Sequence, residues 1–455
     1  MTNMENNATT KESKRFLARI IIEAQTPLFI GSGEKDILTD ALVSKDANGM
    51  PYIPGTSIAG VIRHSLEENP DSKVSIDRLF GLQDKNDSFG SRIIFSEARM
   101  IGENGKVLDG LLSIPETSFY DKYLHLPIRQ HVRISHKGAS EKGGKFDQEA
   151  VYKGTRFCFE IEIVADDLVE QEKFNLILNR LMDNSIRFGG KSRSGFGQVK
   201  IASCQTRTLD LDKKEDLQAY LEKSSSLDSN FKWEDHEIIA HNGEFKEYKL
   251  TLKPVDFFLF GSGFGDEEAD MTTAKEDIVI WEDGKAPFAE RYLVPGSSIK
   301  GAIAHRTAYN YNKLKKIFAD NEQLYPDDVT GDNNVAVKQL FGDAEETRGN
   351  VIFSDIFIDG CKDKIINHVS IDRFTGGAID GALFAEKDAY GKGITLSTTI
   401  YAKTKNDDED IEKAFVQTLK DLCDGFLPLG GGINRGNGLF YGQISGAMDY
   451  TSKNY

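Results

Sequence analysis

The chain is written twice, and that limits its fold more than any other feature. Pro51–Gly60 (PYIPGTSIAG) returns as Tyr292–Gly301 (YLVPGSSIKG). Leu79-Phe80-Gly81 returns as Leu340-Phe341-Gly342, and Arg92–Glu97 (RIIFSE) as Asn350–Asp355 (NVIFSD). His131–Ile134 (HVRI) returns as His368–Ile371 (HVSI), and the glycine-rich Gly189–Gly197 (GGKSRSGFG) as Gly431–Gly438 (GGINRGNG). Five matches in one order, each displaced by a similar distance, imply two copies of one domain. The length of 455 residues agrees, because a single hydrophobic core stops growing well below that size.

The boundary between copies falls in residues 205–245, a charged, helix-capable piece followed by a Ser/Asp-rich stretch of linker character. The division expected is a tail over 1–14, a first domain over 15–204, the linker, and a second domain over 246–455. Phe16, Ala18, Ile20 and Ile22 alternate with Leu17, Arg19 and Ile21, which predicts a first strand; Tyr248, Leu250 and Leu252 repeat it. Ile58, Val61, Ile62 and Leu66 then recur at helical spacing, with Thr56 or Ser57 as the expected N-cap. An apolar strand follows at Arg92–Ala98, and a late helix over Leu168–Met182 leads through the glycine-rich turn to a last strand near Gln198–Ile201. Ile411–Cys423 and Phe440–Ile444 match the last two elements in the second copy. Strand, helix, strand, excursion, helix, strand predicts an α+β fold of two tandem ferredoxin-like (βαββαβ) domains. The excursions, near 100–155 and 356–393, are too long for simple loops and read as inserted subdomains.

Composition excludes several classes. A 39% hydrophobic and 28% charged chain fits a folded soluble protein, not a disordered one. No stretch approaches the ~20 apolar residues of a membrane span, and the polar N-terminus has no secretory core. Four widely spaced cysteines without CxxC spacing argue against a zinc site or disulfide framework and fit a reducing cytoplasm. The net charge of −16 argues against a free-standing, nonspecific nucleic-acid binder. Much of the acid sits in loops, at Asp407–Asp410, Glu267–Glu268, Asp327–Asp328 and Asp343–Glu346, so a basic groove elsewhere is not excluded.

Three motifs carry a resemblance. The turns GGKSRSGFG and GGINRGNG resemble the glycine-rich signature of the RAMP superfamily of CRISPR proteins. PGTSIAG and PGSSIKG, each before a helix, are similar to a second marker of its type III backbone subunits. HVSIDRFTGGAIDGALFAEKDAYGKG (368–393), with the degraded HVRISHKGASEKGGKFDQEAVYKG (131–154), resembles their thumb insertion. The residues themselves agree with RNA binding. Consecutive glycine amides form an anion nest, with Lys191, Arg193 and Arg435 as cationic partners. Ser57 and Ser298 lie at helix starts that suit a phosphate, and Arg63, Lys300 and Arg306 on the following turns can reach a phosphodiester backbone. Ordinary capped helices and a glycine turn closing a helix–strand joint would look the same. On the thumbs, Ile134, Phe146, Ile371 and Phe384 are candidates to wedge between bases, with Arg133 and Arg373 for phosphates.

The resemblance also implies cleavage. In these backbone subunits an aspartate between the first strand and the Pro-Gly element cuts target RNA, within a pattern of Asp, apolar run, Asp and turn. Asp40, Ala41-Leu42-Val43 and Asp46 fit it, and Asp277, Ile278-Val279-Ile280 and Asp283 have the same spacing. Asp40 and Asp277 are therefore the expected catalytic pair. Asp36, Asp270 and Glu276 are the nearby carboxylates that, with those two, would hold Mg²⁺ or Mn²⁺. His64 and His305 occupy matching positions, as do His131 and His368, and each reads as a packed or hydrogen-bonding histidine. The partners implied are a CRISPR RNA, single-stranded target RNA and other type III effector subunits, in a type III-D-like fusion. A noncatalytic RNA scaffold and a histidine-dependent guide-processing endoribonuclease are the alternatives.

Overall fold

The computed structural model describes residues 12–455 except 38, 68–72, 84–87, 136–137, 166–168, 228, 230, 240–244, 318–328, 344–346 and 404–407. Most of the expected tail, the Asp327–Asp328 pair, parts of the other acidic loops and the expected helix start at Leu168 lie outside the described residues.

The first copy opens on β1 (Lys14–Ala24), whose alternation sends Phe16, Ala18, Ile20 and Ile22 into the core. Helix α1 (Gly55–Glu67) buries Ile58, Ile62 and Leu66 in one stripe, as their spacing predicts. Helix α2 (Lys73–Phe80) and strand β2 (Ile93–Phe95) follow. The excursion then builds α3 (Ser118–Leu124) and a hairpin of β3 (Ile128–Ile134) and β4 (Ser140–Glu149). Strand β5 (Arg156–Ala165), α4 (Val169–Leu181) and β6 (Val199–Asp210) close the unit. The antiparallel sheet order β6-β1-β5-β2 is the ferredoxin-like order.

Strand β6 does not stop near Ile201. It pairs with the whole of β1, out to Lys14 opposite Asp210, and buries Cys204 and Leu209. Much of the stretch expected as a linker also belongs to the first copy. It forms α5 (Lys214–Glu222) and the edge strand β7 (Glu234–Asp235) on β6. Aromatic rings hold it there: Tyr220, Trp233 and Phe231 lie 5.5, 5.0 and 5.7 Å from the guanidinium groups of Arg15, Arg19 and Arg207.

The second copy starts with β8 (Lys246–Pro254) and then adds a hairpin, β9 (Lys275–Val279) with β10 (Phe288–Val294). It continues through α6 (Gly296–Leu314), α7 (Val335–Phe341), β11 (Val351–Ile352) and β12 (Ile356–Ile358). A second excursion hairpin pairs β13 (Lys362–His368) with β14 (Phe384–Tyr390). Strand β15 (Leu396–Ala402), α8 (Glu409–Cys423), β16 (Phe440–Gly446) and β17 (Tyr450–Thr451) complete it. Its sheet order, β11-β15-β8-β16 with β17 added at the edge, repeats that of the first copy.

The copies share hydrophobic contacts through the added hairpin. Val279 and Ala286, at its tip, are buried within the first copy's core, and Trp281 and Phe288 pack against it. The Phe288 ring lies 5.0–5.9 Å from the rings of Phe119, Tyr123 and Tyr152. Among the described residues, no helix is long and apolar enough to cross a membrane.

Candidate functional site

The aspartate loops repeat their contacts in the two copies. In the first copy Ser32 N donates to Leu42 O, Asp36 Oδ1 caps Thr39 N, and Ala41 pairs in parallel with Gln148 of β4. In the second, Ser262 N donates to Thr272 O, Asp266 Oδ1 caps Ala269 N, and Met271 pairs in parallel with Glu386 of β14. Asp40 Oδ2 accepts the amide of Asp147 at 3.0 Å; Asp270 Oδ2 accepts the amide of Ala385 at 2.8 Å. Both aspartates are exposed at the foot of their excursion hairpin. A polar cleft opens beside each loop, one lined by Ser32, Asp36, Lys45, Tyr52 and Glu149, the other by Ser262, Asp266, Lys275, Asp363 and Lys387.

The counterpart of Asp40 is therefore Asp270, and the expected equivalence with Asp277 is corrected. Asp277 lies on β9 and ion-pairs with Lys122 of the first copy's α3. Fourteen positions separate Asp40 from Pro54, whereas twenty-five separate Asp270 from Pro295; the extra chain is the β9–β10 hairpin. The Asp–Asp spacings match because both second aspartates make turns. Asp46 Oδ1 accepts the amides of Asn48 and Met50, and Asp283 adopts φ 49° beside Gly284 at φ 75° in a two-residue hairpin turn. The usable signal is the ungapped register of Gly31-Ser32-Gly33 on Gly261-Ser262-Gly263, which places Asp40 on Asp270.

The five expected metal ligands do not converge. Asp36 caps its own loop, Glu276 pairs with Arg129, and Asp277 with Lys122. Among the described residues no three metal-ligating side chains form a cluster, so the residues do not fit a resident Mg²⁺ or Mn²⁺ site.

The glycine-rich turns superpose in the register Gly189 on Gly430, one residue from the sequence match. Gly190 N donates to Phe29 O, Gly431 N to Leu259 O, and Lys191 at φ 57° occupies the place of Gly432 at φ 68°. A Cβ on Gly189 would sit 2.3 Å from Phe29 O, and one on Gly430 2.4 Å from Leu259 O. The turn's own backbone packing thus accounts for these two glycines without a ligand.

Residues 21–200 and 289–441 match the family described as the RAMP superfamily. The chain belongs to the RAMP superfamily. It is 31% identical over 205 residues to the CRISPR system Cms endoribonuclease Csm3 of Methanocaldococcus jannaschii, an alignment covering 40% of this chain and 75% of that protein. A solved chain from the type III-B Cmr-beta complex in its apo state matches at 20% identity and TM-score 0.31, covering 41% of this chain and 96% of its own.

The two RAMP copies place their basic residues unequally. Lys191 is exposed, its Nζ 4.2 Å from the Phe146 ring centre. Lys300, on the first turns of α6, lies across the joint within the electrostatic reach of Asp332, Arg193 and Lys191; burial pushes its ammonium down. Arg133 pairs with Asp332 and Glu141, which places it at the same seam. Arg193 donates to Gly349 O of the second copy. Other expected RNA contacts already have protein partners. Arg63 pairs with Asp77 and donates to Gly81 O; Arg435 meets both oxygens of Glu386 at 2.6 Å; Arg306 pairs with Asp421. Ser298 is exposed in the first turn of α6, whose cap position is Pro295, and Ser57 lies in the first turn of α1, so neither is the N-cap. At the start of α6 the Gly296 amide donates to Asp355 Oδ1 at 2.7 Å.

The thumbs keep the symmetry. His131 stacks on Phe146 with ring centres 4.7 Å apart, and His368 on Phe384 at 4.9 Å. Both phenylalanine rings are thereby partly committed to their own hairpins. Ile134 and Ile371 are half-exposed or more, and Arg373 is exposed. Phe374, which is not among the wedge candidates drawn from the sequence, is 97% exposed beside Arg373.

Proposed function

We propose that this chain is a fused double backbone subunit of a type III CRISPR ribonucleoprotein, cutting target RNA at Asp40 and Asp270. The observation that carries the reading is the duplicated latch of each aspartate to a thumb amide. The superfamily membership and the name of the Csm3 relative support RNA cleavage as the activity. The CRISPR RNA would follow the seam of Lys191, Arg193, Lys300 and Arg133, with the thumbs interrupting its duplex with target RNA.

The chemistry asks little of the protein. A 2′-hydroxyl held in line attacks the adjacent phosphorus, giving its proton to the aspartate carboxylate. The O2′–P bond forms, the P–O5′ bond breaks, and the leaving oxygen takes a proton from water. The products are a 2′,3′-cyclic phosphate and a 5′-hydroxyl. Any divalent ion would be shared with RNA phosphates, the usual setting for Mg²⁺.

The test is cleavage of end-labelled complementary RNA by the assembled complex, with and without Mg²⁺. Asp40→Asn and Asp270→Asn are each expected to remove one product, and the pair to remove both. Asp277→Asn is expected to leave both products. Identical cleavage by the wild type, the two single variants and the pair, with RNA still bound, would make the chain a scaffold.

A further inference from the structure

Each aspartate loop is fastened to a strand of its thumb by an ion pair, and the pair has opposite polarity in the two copies. The strands match position for position. Leu28 bridges Val151 where Phe258 pairs with Ala389, and Asp147 and Ala385 supply the amides that bond Asp40 and Asp270. Two residues further on, on the same strand face, lies Glu149 in the first copy and Lys387 in the second. The loops match as well, since Gly31 bridges Val43 and Gly261 bridges Thr273. Lys45 therefore stands for Lys275, and Asp36 for Asp266.

In the first copy the acid is on the strand. Glu149 Oε1 accepts from Lys45 Nζ at 3.2 Å and Oε2 from the Val43 amide at 2.8 Å, so one carboxylate holds the loop on the side that follows Asp40. In the second copy the base is on the strand. Lys387 Nζ donates to Glu268 Oε2 at 2.7 Å and to Asp266 Oδ2, so one ammonium holds the loop on the side that precedes Asp270.

The surrounding contacts follow the reversal. With a lysine at the strand position that carries glutamate in the first copy, Lys275 pairs instead with Asp363 of β13 at 2.7 Å. Thr273 N, which stands for Val43 N, donates to the backbone oxygen of Lys387 at 3.1 Å. The Glu149 and Lys387 side chains are only 12% and 13% exposed, which takes both clamps part-way out of solvent screening.

We infer that Glu149 and Lys387 are the positioning residues of the two cutting sites. Each fixes its aspartate loop against the thumb, the first from downstream of the aspartate and the second from upstream. A carboxylate takes a 2′-hydroxyl proton only within hydrogen-bond reach, and a misplacement of about 1 Å can cost about a hundredfold in rate. The inference rests on the reading of Asp40 and Asp270 as the cutting residues, and the anchoring is therefore also measured without cleavage.

Hydrogen exchange of the assembled ribonucleoprotein and product-resolved cleavage of end-labelled complementary RNA test it together. Lys387→Met is expected to speed amide exchange over residues 266–273 while residues 36–43 keep their rate. It should slow formation of the Asp270 product by about tenfold or more, with target RNA bound as tightly as before and the Asp40 product unchanged. Lys387→Arg keeps the charge and is expected to restore both readouts. Glu149→Ala is expected to act on the other loop and the other product alone. Unchanged exchange in Lys387→Met, or equal loss of both products, would overturn the inference. So would an Asp270 product that Asp270→Asn removes and Lys387→Met leaves intact. Retention of that product in Asp270→Asn would instead overturn the assignment of the cutting residue, and the positioning role with it.

Discussion

At residue scale, His131 shows how position overrides residue type. Its ring is stacked on Phe146, and burial, aided by the charges of Arg129 and Lys191, pushes the imidazole down to about 4. In the unfolded chain it titrates near 6.5, so between about 6.5 and 4 the unfolded state binds the extra proton. Stability should therefore fall as pH drops through that window, and His131→Gln should flatten that part of a pH series of urea midpoints. An imidazole resonance titrating near 6.5 in the folded protein would contradict the assignment. The same neutral, packed ring weighs against histidine chemistry as the source of cleavage. The repeated histidines are legible in the sequence from their matching positions, and Asp40 is singled out there only by the loop pattern that the resemblance implies. Asp270 is not, because Asp277-Ile278-Val279-Ile280 is a strand running into an Asp-Gly turn, and that combination mimics the loop pattern around Asp40. Arg63, Arg193 and Arg435 look open to phosphate in the sequence for the complementary reason: Asp77, Gly349 and Glu386 become their neighbours only through the fold.

At the scale of elements, the β9–β10 hairpin is the piece on which the two-copy arrangement turns. Trp281 donates to Gly154 O and lies 4.3 Å from the Arg156 guanidinium, so its indole joins the second copy's hairpin to the first copy's sheet. Truncation at Trp281→Ala is expected to cost about 1–3 kcal/mol, less than for a fully buried aromatic, because the ring is only partly buried. Far-ultraviolet circular dichroism in urea reads that loss, since the substitution removes the indole. Where Trp281 is kept, a Trp233→Phe background makes its fluorescence a reporter of this contact alone, because the chain has only two tryptophans. A loss below about 1 kcal/mol would mean that the hairpin rests on the first copy without contributing to its core. The strands and helices of each ferredoxin-like unit are legible in the sequence because their apolar periods, two and 3.6, are local properties. The hairpin is not, since its apolar face is satisfied by a surface more than a hundred residues away in sequence. The 205–236 stretch escapes for the same reason: Tyr220, Phe231 and Trp233 are scattered aromatics in a polar segment until Arg15, Arg19 and Arg207 are placed beside them.

At the scale of the whole molecule, the joint sets the distance between the two aspartates and so the spacing of any two cuts. Its centre is the buried triad of Arg129 with Glu276 and Asp355, whose side chains are 8%, 10% and 0% exposed. Arg129 also lies over the Phe196 ring at 4.6 Å, which fixes the guanidinium between the two carboxylates. Replacing it by methionine keeps most of the volume and removes the charge, leaving two carboxylates buried together without a cation. Breaking a buried pair in this way typically costs about 3–5 kcal/mol. Because the hairpin tip belongs to the first copy's core, the wild-type chain should unfold in one transition, with Trp281 fluorescence and far-ultraviolet circular dichroism coincident. In Arg129→Met the fluorescence change should come first, at lower urea, with most of the secondary structure still present. If the two probes stay coincident and shift together by the full amount, the triad stabilises the first copy and not the joint. If neither shifts, the carboxylates find water when the arginine is lost, and the fixed spacing of the two sites must come from the apolar hairpin alone.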